Sequence, residues 1–358
     1  MNLDDLAIQP CPWLRGSGDA SDVVLSTRVR LARNFSDYPF VGRGCERDLR
    51  DIVKTVEKKL PDVFGDVDVA FLDFNEVPDD VALLLQERNH VSREFCRATH
   101  PRALILQENE EFSVMVNEED HLRIQSIISG LALKEAWRRV DKIDDLFDSV
   151  FQYAFDEKLG YLTASPSNLG TGLRASVVLH IPGLVETGET PKVLRSLQKL
   201  NLTARGIYGK DMRPLGEFYH ISNLSTLGPP ELLIVDQFRE VVDCVVAYER
   251  EARETVLREN RSGALDRACR ALALLGSARS MPFDEALTHL SSVRLGVRTG
   301  LLDGVSNSTI DNMLLQIQRA HLRRIAEAKG VVSDDDDEDA LRAAYIRKKL
   351  IEKETDAQ

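Results

Sequence analysis

Asn117-Glu118-Glu119-Asp120-His121-Leu122-Arg123 sets three acids in a row between two alternating runs and closes on an arginine. Phe112, Val114 and Val116 alternate before it, and Leu122, Ile124, Ser126 and Ile128 alternate after it. A period of two on both sides of a short polar stretch predicts a β-hairpin with the acids at its turn. Neighbouring side chains on such a hairpin point to opposite sides, so Glu118 and Glu119 can hold two different jobs. Taken alone, the same acids also suit an ordinary solvated loop.

The alternation continues outward. Val23, Leu25, Thr27, Val29 and Leu31 alternate with Val24, Ser26, Arg28 and Arg30, and Ala175, Val177, Leu179 and Ile181 alternate with Arg174, Ser176, Val178 and His180. Helical spacing lies between these strands, as at Val193, Leu197 and Leu200. Beyond about residue 255 the strand signals cease, and Leu265, Cys269 and Leu272, then Ile310, Leu314 and Ile317, recur at helical spacing. Ser308 followed by Asp311 resembles a capping box for that later helix, with Gly330 as its stop. The acidic run Asp334–Asp339 precedes a last helix expected over Ala340–Lys353. The pattern predicts an α+β chain in three parts: a segment 1–21, a mixed domain 22–253 and an all-helical domain 254–358.

Bulk composition narrows the function. The 358 residues are 43% hydrophobic and 29% charged, ordinary for a soluble protein. No run approaches the length of a membrane span. MNLDDLAIQP has acids where a signal peptide needs a basic and then an apolar stretch, so a cytoplasmic protein is expected. Five scattered cysteines without a CxxC pair argue against a disulfide framework or a zinc site. A net charge of −12 argues against general nucleic-acid binding and suits basic protein partners.

The arginines carry the chemistry. Moving a phosphoryl group from ATP requires neutralising about four negative charges and holding the phosphates in line with the acceptor. The chain has neither GxxxxGK[ST] nor GxGxxG. Arginine is another solution, because its planar fork binds phosphate oxygens in pairs and keeps its charge. Arg28 and Arg30 lie two apart on one strand and share a face. Arg123 closes the acidic turn, Arg174 follows the loop SPSNLGTG, and Arg205 opens RGIYGK.

STRVRLAR, NEEDHLR, SPSNLGTGLRAS and RGIYG, followed by YHISN, resemble in order and approximate spacing the catalytic domain of the phosphagen (guanidino) kinase family, over about Asp22–Arg253. The resemblance implies an antiparallel sheet flanked by helices. It implies an ATP site lined by Ser26, Thr27, Arg28, Val29, Arg30, His90, Arg123, Arg174, Ala175, Ser176, Val177, Val178, Arg205, Gly206, Ile207, Tyr208, Gly209 and Lys210. Mg²⁺ would be held mainly by ATP oxygens and water, with no protein metal centre. A guanidinium is a poor nucleophile while protonated and needs a carboxylate to orient it and take a proton. The family pattern gives that task to Glu119, sets Glu118 to orient water on Mg²⁺, and leaves Asp120 as support. Two positions depart from the pattern. Ser165 stands where the family usually has a cysteine against the guanidinium, and Lys210 where many members have glutamate.

Creatine and arginine kinases carry a helical domain ahead of STRVR. Here the helices follow the catalytic segment instead, an order that resembles the bacterial protein-arginine kinase branch. That branch implies protein substrates with exposed arginines, basic repressors among them, a McsA-like activator, ClpC as a partner in ClpC–ClpP degradation during stress, and association as a homodimer. Glu338–Ala343 matches three of the four signature positions of its RDxxRA motif, with Glu338 at the first arginine. This implies an allosteric phosphoarginine site at Asp339 and Arg342. Two other readings stand beside this one: a kinase of a free guanidino metabolite, and a catalytically weakened phosphoarginine-binding adaptor.

Overall fold

Alternation in the sequence becomes a single wide sheet. A computed structural model describes residues 6–65, 67–207, 214–328 and 337–351. Its strands are β1 (Val24–Arg33), β2 (Val69–Asp73), β3 (Ala103–Gln107), β4 (Ser113–Val116), β5 (Leu122–Ser129), the short β6 (Phe155–Asp156) and β7 (Gly160–Tyr161), then β8 (Leu173–His180), β9 (Leu202–Gly206) and β10 (Phe218–Asn223). Eight of them pair in the order β2-β3-β4-β5-β1-β8-β10-β9, while β6 and β7 form a separate ribbon. Every pairing is antiparallel. The expected hairpin is present as β4 and β5, with Val116 opposite Leu122.

Register decides what the sheet presents. Arg28 lies opposite Ile127 on β5 and Ser176 on β8, and Arg30 lies opposite Gln125 and Arg174. His220 on β10 lies opposite Val178 and Arg205. Directly paired residues share a face, so one face of the sheet's centre carries the arginines. Val29, Leu31, Ile124, Ala175 and Val177 point the other way and form the main core.

Helices cover that core. The first four are α1 (Glu46–Phe64), α2 (Asp79–Glu87), α3 (Arg93–Arg97) and α4 (Leu133–Asp148). Leu49, Ile52, Val53 and Val56 recur at three- and four-residue spacing, so α1 buries one stripe against the sheet. Each such side chain contributes about 1.5–3 kcal/mol on burial. After α5 (Pro182–Glu186) and α6 (Thr190–Lys199) comes the long α7, Glu231–Ser277. It breaks at Asn260 (φ −147°, ψ 57°), whose side-chain oxygen accepts from Gly263 N and restarts the helix. Before the break Val235, Phe238 and Val242 join the sheet core; after it Ala268, Ala271 and Leu275 join a second, helical core. The change from the sheet core to the helical core thus falls at the Asn260 break, a few residues beyond the division expected at 253/254.

The second core is built by α8 (Phe283–Arg298), α9 (Asn307–Gln316), α10 (Arg319–Ala328) and α11 (Glu338–Ile351). The cap of α9 differs from the expectation. Ser306, not Ser308, accepts from Thr309 N. Asp311 is buried instead, pairing with Arg294 at 2.7 Å and Arg298 at 3.0 Å. Two buried guanidinium groups need a carboxylate more than an exposed helix end does. The last helix starts at Glu338 rather than Ala340, and the expected stop Gly330 lies outside the described residues. Among the described residues no helix is long and apolar enough to cross a membrane. The five cysteines are all free.

Candidate active site

The acidic turn is held rigidly. Asn117 takes a left-handed conformation (φ 59°), and its side-chain amide donates to Leu49 O and Pro101 O. Asp120 accepts from Asn34 Nδ2 and from Ala164 N, each at 2.7 Å, which fastens the loop bearing Ser165 to the turn. The same loop lies flat on β1 at Gly172 (φ +65°), where a Cβ would sit 2.6 Å from Ala32 O.

The two glutamates have different environments. Glu118 accepts from Ser92 Oγ at 2.7 Å and pairs with Arg123 at 2.6 Å. Burial pushes its carboxyl up, but Arg123 and the Ser92 hydroxyl outweigh burial and hold it below the usual range. Glu119 is exposed. Partial desolvation, then repulsion from Asp120 and Glu118, raise its pKa against the opposing pull of Arg123 and the Ser165 hydroxyl. Glu119 is thus the carboxylate with the stronger appetite for a proton.

Facing the turn is a field of cations. Burial, then repulsion from Arg123, Arg205 and Arg174, pull Arg28 down to about 9. Arg30 and Arg174 are also pulled down, by burial and by their arginine neighbours. The Nε atoms of Arg30 and Arg174 are buried without a hydrogen-bond partner, and so are both ring nitrogens of His220. Burial and four surrounding arginines keep that histidine neutral. Crowded, under-satisfied donors of this kind fit a polyanion such as a nucleotide triphosphate.

Two cavities open on this face. The larger, about 490 Å³, touches Ser26, Arg28, Ser176, Val178, Arg205, Gly206, Ile207 and His220. The smaller, about 110 Å³, gathers Arg30, Glu118, Glu119, Arg123, Ser165 and Arg174. Arg28 lines the larger and Arg30 the smaller, so β1 joins the two cavities along one arginine row that ends at the acidic turn. Among the described residues no three His, Cys, Asp or Glu side chains gather as a metal centre.

Several expected residues sit elsewhere, and strand alternation is the reason. Thr27, Val29 and Ala175 point into the opposite layer: Thr27 Oγ1 donates to Gly130 O, and Val29 and Ala175 are core. Val177 borders the larger cavity but packs in the same core. His90 lines neither cavity; its Nε2 lies 2.6 Å from Glu110. Burial pushes Glu110 up, but His90 and Arg88 outweigh it and bring it down to about 2. Tyr208, Gly209 and Lys210 lie outside the described residues. His220 was missed, although its place in the alternating FYHISN run puts it on the arginine face.

In the helical core Arg342 is buried. It donates to Ile317 O, Met281 O and Asp339, the last at 2.5 Å. Glu338 pairs with Arg319 at 2.7 Å and Arg323 at 3.0 Å. Arg342 thus clasps α11 to the helical core, and its partner Asp339 stays partly exposed.

An arginine-lined face opposite a two-glutamate turn defines a class. The chain belongs to the ATP:guanido phosphotransferase family, whose C-terminal catalytic domain model matches residues 51–252. A second family model, the protein-arginine kinase McsB C-terminal domain, matches residues 262–358. Among curated relatives, a protein-arginine kinase of Bacillus cereus is 37% identical over 98% of this chain and 99% of its own length. One from Clostridium acetobutylicum is 35% identical over 94% of this chain and 99% of its own. Solved structures share the fold. A lombricine kinase aligns with a TM-score of 0.57 at 22% identity, covering 68% of this chain and 70% of that one. A duplicated taurocyamine kinase from Schistosoma mansoni, with bound transition-state analogue components, aligns at 0.59 and 24%, covering 76% and 39%.

Proposed function

We propose that this protein is an ATP-dependent protein-arginine kinase. The observation that carries the proposal is the meeting of Arg30, Arg123 and Arg174 with Glu118 and Glu119 in one small cavity open to solvent. ATP lies along β1, its phosphates on the arginine row and its γ-phosphoryl group beside the turn. Mg²⁺ would be carried by phosphate oxygens and water and would supply neutralising charge there.

Glu119 receives the acceptor guanidinium, orients one nitrogen and takes its proton. That nitrogen attacks the γ-phosphorus; an N–P bond forms, the bond to the bridging oxygen breaks, and ADP leaves with the electron pair. Glu118, tied to Arg123, holds the Arg123 guanidinium towards the phosphate and would help to order water on the metal ion. Ser165 shares the small cavity with Glu119 and its hydroxyl is neutral at pH 7, so it steadies the base without adding charge.

An exposed Glu119 suits an arginine presented on another protein, and the names carried by the relatives support the same acceptor. The finer reading is a cytoplasmic enzyme that marks proteins for ClpC–ClpP degradation, activated by a McsA-like partner; it rests on the family resemblance. The test is incubation with ATP, Mg²⁺ and a basic protein, followed by mass spectrometry that spares acid-labile phosphoarginine. Phosphoarginine on the protein is the expected product. Transfer to free arginine alone, or none, overturns the proposal.

A further inference from the structure

The larger cavity is not closed by the catalytic sheet alone. Its far wall comes from two distant parts of the chain: Trp13 and Leu14 in a short 3-10 turn (Pro12–Leu14), and Leu314 and Gln318 at the end of α9 and just beyond it. These walls are tied to one another. Cys11 N donates to Asn312 Oδ1, and Trp13 Nε1 donates to Arg88 O. Glu87, itself a wall residue, accepts from Ala320 N at 2.9 Å and His321 N at 3.2 Å, and so caps α10.

Charge and apolar surface come from different walls of the cavity. The sheet brings Arg28, Arg205 and His220, with Ile127 directly opposite Arg28; Trp13, Leu14 and Leu314 bring apolar surface from the far wall, beside the polar Gln86, Glu87 and Asn89. A volume of about 490 Å³ is within the range that drug-sized ligands fill. With phosphates on the arginines, the apolar part is left for the flat base. Gln318, half-buried among these side chains, offers both a donor and an acceptor to a base edge.

We propose that the nucleotide base is enclosed by the helical unit, with Gln318 reading its edge and Trp13 and Leu314 against its faces, so that nucleotide binding clamps the helical unit onto the sheet. The inference rests on the nucleotide reading of this cavity and adds its base-recognition residues. Occupancy of the catalytic site is then felt directly in α9 and α10, without an intervening relay.

The full-length chain has two tryptophans, so Trp137→Phe leaves Trp13 as the sole reporter. Titration with ATP should change its emission, whereas inorganic tripolyphosphate, which has the charges but no base, should not. Independently, in the otherwise unaltered chain, Gln318→Ala should weaken ATP by roughly 3- to 10-fold in calorimetry, the effect of losing a hydrogen bond, and leave tripolyphosphate unchanged. This second measurement does not depend on Trp137→Phe folding well. ATP affinities equal in wild type and Gln318→Ala, or Trp13 emission unmoved at saturating ATP, overturn the enclosure while the kinase reading survives. A wild-type protein that binds neither ATP nor tripolyphosphate overturns the nucleotide reading, and this inference with it.

Discussion

Arg30 and Arg33 stand three residues apart on one strand and live in opposite circumstances. Arg33 is sealed within the protein, pairs with Asp144 at 2.5 Å and Glu231 at 3.3 Å, and lies over the Tyr161 ring at 3.6 Å. Arg30 is nearly as buried, yet its Nε has no partner and its nearest charged neighbours include Arg28, Arg123 and Arg174. Arg88 and Arg294 follow Arg33, with Glu110 and Asp311 as their carboxylates. A structural arginine brings its counter-charge from within the fold. Those at the centre of the sheet are held against one another, an arrangement that pairing with a polyanion relieves. The acids repeat the contrast, since Glu118 is spoken for by Arg123 while Glu119 remains exposed.

The sharpest break should come at the free acid. Glu119→Gln keeps the shape but cannot take a proton, so kcat should fall on the order of 10²–10⁴-fold while ATP affinity and melting temperature hold. Near-normal turnover in a phosphoarginine assay would remove Glu119 from the mechanism. At the paired arginine the effect should fall on stability instead. Arg33→Ala leaves two carboxylates uncompensated and should cost roughly 3–5 kcal/mol in urea unfolding. A loss below about 1 kcal/mol would erase the distinction between the two sets.

Arg174→Ala should do the reverse of Arg33→Ala. ATP affinity drops roughly 10- to 100-fold by calorimetry, and the melting temperature does not fall, because mutual repulsion is relieved. Arg174→Lys should fail to restore binding, since a point charge cannot reproduce the fork. The pH profile refines the contrast between the acids. A raised pKa at Glu119 means that the active carboxylate is lost as pH falls through a value above the ordinary glutamate pKa of about 4.3. An acid limb of kcat/KM below that value points to Glu118, whose pKa is lowered, as the base. Ser165→Cys is the smallest change expected. A thiolate beside the guanidinium should raise turnover at neutral to mildly alkaline pH, with folding untouched; no gain shows that the serine hydroxyl suffices.

Much of the site was legible because alternation is a local property. Arg28 and Arg30 had to share a face, and the NEEDHLR hairpin had to present its acids at a turn, whatever lay around them. The same rule turns the Thr27, Val29 and Ala175 side chains away from the arginine face and puts His220 on it, because a motif taken whole joins residues that face two layers. The cap at Ser306 and the burial of Asp311 were harder, since two serines two residues apart give equal local signals.

By itself, then, the sequence determined the strand periodicity, the arginine spacing and the change to an all-helical tail, since each depends on neighbours within a few residues. Only the tertiary structure decided which arginines keep a carboxylate and which face one another, because Arg33 finds Asp144 and Glu231 from far along the chain. It also decided that Arg342 is a clasp and that Trp13 and Gln318 wall one cavity with β1. No local pattern encodes a contact between residues three hundred positions apart; packing of the two cores brings them together.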